Sequence, residues 1–117
     1  MTKLFYRHII YYDRYYLDFF ETLDLAVKQK FNWTLQLIST VEKIPPKYFK
    51  HISGTNGIYE IRVEFQSNIY RVFSFFDKGN LIILVNGFQK KSTKTPKNEI
   101  ELAIKIKKRY NDEIKAN

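Results

Sequence analysis

Two arginines, Arg62 and Arg71, lie inside stretches that alternate like β-strands, and four lysines, Lys90, Lys91, Lys94 and Lys97, follow in close succession. Cations gathered on one face of a small sheet are an arrangement for handling phosphate. A guanidinium is planar, permanently charged, and forks onto two phosphate oxygens at once. The same arginines could instead form cross-strand ion pairs with Glu60 and Glu64 on a wetted sheet face, where such pairs contribute little. Phe73, Asn86 and Phe88 fall at strand positions expected to share the face of the arginines. Rings there either stack on splayed bases or belong to the core. The two histidines, His8 and His51, are 43 positions apart. There is no Gly-rich phosphate loop, no Ser/His/Asp set and no His/Asp/Glu cluster at metal-ligand spacing, so neither a metal nor a cofactor is expected.

The remaining composition bounds the setting. Twenty Lys and Arg against twelve Asp and Glu give a net charge of +8 over 117 residues. For a chain this short, that balance favours a polyanionic partner: nucleic acid, an acidic protein or an anionic membrane surface. The length suits one domain with one core, residues 1–117. Without cysteine there is no disulfide framework and no thiol nucleophile. The opening residues have no apolar signal-like run and no apolar stretch approaches membrane-spanning length, so a cytoplasmic protein with no membrane partner is expected.

The elements that would position the cations follow from periodicity. KLFYRHII, residues 3–10, reads as a short edge strand. Tyr12, Tyr16, Phe19, Phe20 and Leu23 fit a helix over 11–23 capped by Asp13. Val27, Phe31, Leu35, Ile38 and Val41 form one stripe of a longer helix, with Asp24 as its N-cap and Pro45-Pro46 as its stop. Residues 47–56 read as a connector. Three strands follow, 58–65, 69–76 and 81–88. In the first, Tyr59, Ile61, Val63 and Phe65 alternate with Ile58, Glu60, Arg62 and Glu64. The apolar set should face the helices and leave Arg62 on the opposite face, with Arg71 beside it because a buried unpaired guanidinium is costly. Turns are expected at Gln66-Ser67-Asn68 and at Asp77–Asn80. Thr95 is expected to cap a final helix with Pro96 at its first position and Ile100, Ala103, Ile104, Lys107 and Tyr110 inside. The fold class is α+β: a small antiparallel sheet, an N-terminal helical hairpin on one face and a C-terminal helix.

Three segments in order, GIYEIRV, YRVFSFFD and ILVNGFQKKSTKTPKNEIELA, resemble the HigB-like branch of the RelE/ParE superfamily, the phage-derived HigB-like toxins of type II toxin–antitoxin modules. The resemblance runs over about residues 3–110. Its specific part is Gly-Phe-x-Lys-Lys followed by Lys-x-Pro and Glu-Ile. It implies a RelE-like toxin fold, a cognate antitoxin as partner, and entry into the ribosomal A site to cut mRNA without metal, inhibiting translation. Members of the family often carry His where this chain has Asn86, so no histidine acid is available on that strand.

RNA cut in this way is attacked by its own 2′-OH, in line at the adjacent phosphorus, leaving a 2′,3′-cyclic phosphate and a 5′-OH. The protein must align the nucleotide, move two protons and stabilise charge on the phosphoryl oxygens. By the resemblance, Arg62 and Arg71 stabilise the charge. Glu60 and Lys90 are the candidates for proton transfer, since a carboxylate can accept the 2′ proton and a lysine crowded by cations gives up its own more readily. Lys91, Lys94, Lys97, Phe73, Asn86 and Phe88 would contact RNA. The competing readings are a non-catalytic RNA-binding domain and an antitoxin-binding domain of the same fold.

Overall fold

The computed structural model describes residues 5–91 and 95–116. The elements, in chain order, are β1 (His8–Tyr11), α1 (Tyr15–Glu21), α2 (Leu25–Thr40), β2 (Phe49–His51), β3 (Tyr59–Phe65), β4 (Asn68–Asp77), β5 (Leu81–Lys90) and α3 (Lys97–Ala116). The architecture is α+β, with five strands in the order β1-β5-β4-β3-β2. Strands β2 to β5 form an antiparallel meander, and β1 joins the free side of β5 in parallel.

The hairpins follow from local chemistry. The β3–β4 turn is Gln66-Ser67 and the β4–β5 turn is Lys78-Gly79-Asn80. Gln66, Ser67, Lys78 and Gly79 have positive φ, the backbone hand that matches the twist of the strands they join. The expected connector over 47–56 contains β2, a three-residue edge strand paired to β3 through Phe49 and Ile61.

The two helices of the hairpin are shorter than their sequence patterns. α1 begins at Tyr15, after Asp13 adopts a left-handed conformation (φ 56°). Asp13 therefore does not cap it; its Oδ1 accepts from the Arg14 N–H, while Oδ2 receives Arg109 of α3. Asp24 holds the N-cap position of α2, with no side-chain hydrogen bond to the helix. α2 ends at Thr40, before the two prolines. There the Arg7 guanidinium donates to the carbonyls of Ile38, Val41 and Glu42, placing a cation where the last turn of a helix leaves its carbonyls unpaired.

Each face of the sheet has its own core. On one, α1 and α2 bring Tyr16, Val27, Phe31 and Ile38 against Ile61, Val63, Tyr70, Val72, Ile82 and Leu84. On the other, α3 brings Ala103, Ile106 and Tyr110 against Ile58, Phe73, Phe75, Ile83, Val85 and Phe88. Ile106 rather than Ile104 is the inward residue of α3; Ile104 is exposed. Each of these large apolar side chains contributes about 1.5–3 kcal/mol by leaving water.

A β-bulge sets the faces of β5. Val72 pairs with Gly87 but Ser74 pairs with Leu84, so β5 holds one extra residue. As a result both Val85 and Asn86 turn toward α3. Gly87 turns the other way, onto the Phe19 ring of α1.

Candidate phosphate-binding site

α3 covers only part of its face of the sheet. Beyond its first turn, alternation along β3 leaves Glu60 and Arg62 on that face, and Arg71 of β4 joins them. Arg62 and Arg71 are direct register partners. Like charges opposite one another on a sheet repel, and the repulsion is offset by one carboxylate. Glu60 Oε1 lies 2.9 Å from Arg71 Nε and 3.2 Å from Arg62 Nε. Neither N–H points squarely at the oxygen, so these contacts are ion pairs rather than straight hydrogen bonds.

The two arginines differ in access. Arg71 is 1% exposed and donates to its neighbour's carbonyl, Tyr70 O, at 3.2 Å. Arg62 keeps 29% of its side chain in contact with solvent. Burial pushes the Arg71 guanidinium down from its usual value, and the charge of Glu60 acts against that. A group that basic remains charged at neutral pH. Glu60 from below and Glu64 from the cleft wall face the two guanidiniums, and Lys90 and Lys91 add the positive charge that makes the cleft cationic, a lining suited to a phosphate.

A cleft of about 470 Å³ opens over this floor, lined by Arg62, Glu64, Ser67, Asn68, Ile69, Arg71, Lys90 and Lys91. Lys90 is half-buried in its wall and has no hydrogen-bond or ion-pair partner among the described residues. Lys91 is exposed at the rim. Lys97 opens α3, is exposed, and does not line the cleft. Lys94 lies outside the described residues.

Three expected contacts have other positions. Phe73 is wholly buried and packs on Phe88 at 5.4 Å between ring centroids, beneath α3. These rings are core, because both sides of β4 are covered rather than one. Asn86 is also buried; its Nδ2 donates to the Glu99 backbone carbonyl at 3.1 Å and to Glu99 Oε1 at 3.2 Å. It therefore anchors the first turn of α3. Thr95 does not cap α3 either. The Pro96 carbonyl accepts the first helical bonds, and Thr95 Oγ1 donates to Glu60 Oε2 at 3.3 Å. The hydroxyl thus ties the entrance of α3 to the carboxylate that holds both arginines.

Glu64, expected on the face of Arg62, completes the cleft with the hairpin residues Ser67 and Asn68, which were not expected there. Their signal was available: Glu64 shares the alternation of Arg62, and the turn that follows must stand beside it. His51 sits in β2 against the Tyr59 ring and lines no part of the cleft. A larger cleft, about 820 Å³, lies at the opposite edge around β1, among Phe5, Ile10, Tyr11 and Leu35. Its one guanidinium, Arg7, is spent on the carbonyls that end α2. Among the described residues no group of three or more His, Cys, Asp or Glu could hold a metal ion, and no helix is long and apolar enough to cross a membrane.

No curated protein matches the sequence. The family model described as phage derived protein Gp49-like (DUF891) matches residues 18–108. That span runs from α1 into α3 and includes every described residue of the arginine cleft. The chain belongs to this Gp49-like family, a family of RelE/ParE-like toxins.

Proposed function

We propose that this chain is a HigB-like toxin of a type II toxin–antitoxin module and that it cuts mRNA in the ribosomal A site. The observation that carries the reading is the opposed pair Arg62 and Arg71, held over a shared buried carboxylate at the floor of an open cationic cleft. Diffuse binding of a polyanion needs only surface lysines. Two guanidiniums fixed from below suit a single phosphate whose negative charge grows during reaction.

In the proposed reaction the 2′ oxygen of the A-site nucleotide attacks the adjacent phosphorus in line. The bond to the 5′ oxygen of the next nucleotide breaks, and the products are a 2′,3′-cyclic phosphate and a 5′-OH. Arg62 and Arg71 take the non-bridging oxygens. Glu60 is the residue that orients them, since its two oxygens already face two guanidiniums and the Thr95 hydroxyl. Lys90, the half-buried amine of the cleft, gives its proton to the leaving 5′ oxygen, and the 2′-OH proton passes to water. Lys91 holds the flanking backbone. The antitoxin is an acidic chain that covers the basic domain, and the complex resides in the cytoplasm.

Induced expression in a bacterial host tests the reading. Wild type is expected to arrest growth, and Arg62→Ala, expressed to the same soluble level, is expected to permit it. Unimpaired growth with abundant folded wild type would leave a non-catalytic RNA-binding or antitoxin-binding domain.

A further inference from the structure

A second cleft, about 240 Å³, adjoins the first and shares Arg62 and Glu64 with it; its other walls are Lys30, Lys47 and Tyr48. Lys30 belongs to α2, on the far side of the sheet from the arginines, so the cleft runs round the β2 edge. The register is fixed by backbone: the Arg62 N–H donates to the Tyr48 carbonyl at 2.9 Å. Beside it stands the only tryptophan of the chain, Trp33, which is 47% exposed. The Trp33 and Tyr48 rings meet edge to face at 5.7 Å, Lys30 Nζ lies 4.8 Å from the Trp33 ring centroid, and Lys47 Nζ lies 4.9 Å from that of Tyr48.

An exposed ring, Trp33, and a half-buried one, Tyr48, interleaved with two lysines are the elements of single-stranded nucleic-acid recognition: a π-face for a base and cations for the phosphates on either side of it. Among the described residues the cations across both clefts are Lys30, Lys47, Arg62, Arg71, Lys90 and Lys91, and Glu64 is the one carboxylate in the lining. We propose that Lys30, Trp33, Lys47 and Tyr48 form a second nucleotide subsite, which holds a base and backbone phosphate of the same RNA strand whose neighbouring phosphate sits on Arg62 and Arg71. The inference rests on the RNA reading of the arginine cleft and adds the direction in which the strand leaves it, round the β2 edge toward α2.

Trp33 reports on its own site. A 2′-O-methyl hexauridylate, which cannot be cut, is titrated into the full chain while Trp33 emission is followed and affinity is measured independently by calorimetry. Quenching of Trp33 in parallel with binding is expected. Lys30→Ala/Lys47→Ala should weaken the hexamer about tenfold or more, and Trp33→Ala by a similar factor. A 2′-O-methyl diuridylate, too short to reach both clefts, should be indifferent to these changes and sensitive to Arg62→Ala. Hexamer binding that Arg62→Ala weakens, with Trp33 emission and the double-lysine variant unchanged, overturns the subsite and leaves the arginine cleft standing. No hexamer binding at millimolar RNA overturns the subsite and removes free RNA from the arginine cleft as well.

Discussion

Arg62 and Arg71 stand directly opposite one another on β3 and β4, and Glu60 Oε1 touches the Nε of both, at 3.2 and 2.9 Å. Cross-strand partners of like charge are unfavourable, and a guanidinium as buried as Arg71 is more so. The arrangement stores a demand for negative charge at one place on the sheet. Glu60 meets it from below and Glu64 from the cleft wall, while Lys90 and Lys91 keep the cleft cationic.

Glu60→Ala should therefore destabilise the fold strongly, by about 3–5 kcal/mol, because it leaves the buried Arg71 charge without its ion-pair partner, facing one carbonyl and the charge of Glu64. Arg62→Ala removes a partly exposed side chain that repels Arg71, and should change stability by less than about 1 kcal/mol. Urea denaturation midpoints of the two variants measure the difference. Equal midpoints would mean that Glu60 does not hold the site.

Gly87→Ala probes packing away from the chemistry. A Cβ at Gly87 would fall inside van der Waals contact with three atoms of the Phe19 ring. Overpacking of this kind costs about 1–3 kcal/mol, and the expected result is a lower thermal midpoint with the RNA affinity of the folded protein unchanged. Full stability of Gly87→Ala would show that α1 is free to shift on β5.

Alkaline stability should report on Tyr110. Its hydroxyl donates to Asp77 Oδ2 at 2.6 Å beneath α3, and burial, with that carboxylate, pushes it from near 10 up to about 12. A phenol whose folded value is raised keeps its stabilising proton below the unfolded value and loses the benefit as pH climbs from about 10 to about 12. Tyr110→Phe should cost about 1 kcal/mol at neutral pH, and should lose less stability than wild type across that alkaline window. Parallel pH profiles for the two proteins would contradict the Tyr110–Asp77 contact.

Strand alternation carried much of the site. Period two in residues 58–65 placed Ile61 and Val63 against the helices and Arg62 away from them, and the structure agrees. Apolar residues on both faces of 69–76 already signalled a second covering layer. Alternation alone does not say what covers a face, and α3 claimed Phe73, Phe75 and Phe88. Alternation put Asn86 on the face of Phe88, where the structure has it; Val85 joins that face as well, because the bulge opposite Phe73 breaks the period within β5. β2 escaped notice because three residues show too little periodicity to stand apart from a connector. The early end of α2 depends on Arg7, 31 residues before Ile38, a distance that local patterns do not reach. The second nucleotide subsite joins α2 to the residues before β2, and only the folded sheet brings Trp33 and Tyr48 together.

The most direct measurement is cleavage of mRNA on programmed ribosomes by wild type and Arg62→Ala, with the ends of the fragments determined. Cuts within the A-site codon, ending in a 2′,3′-cyclic phosphate and a 5′-OH, and slowed roughly 10²–10³-fold by Arg62→Ala, are the expected result. No cleavage by folded wild type, or cleavage that Arg62→Ala performs equally well, would contradict the assignment of the opposed arginines to phosphoryl chemistry.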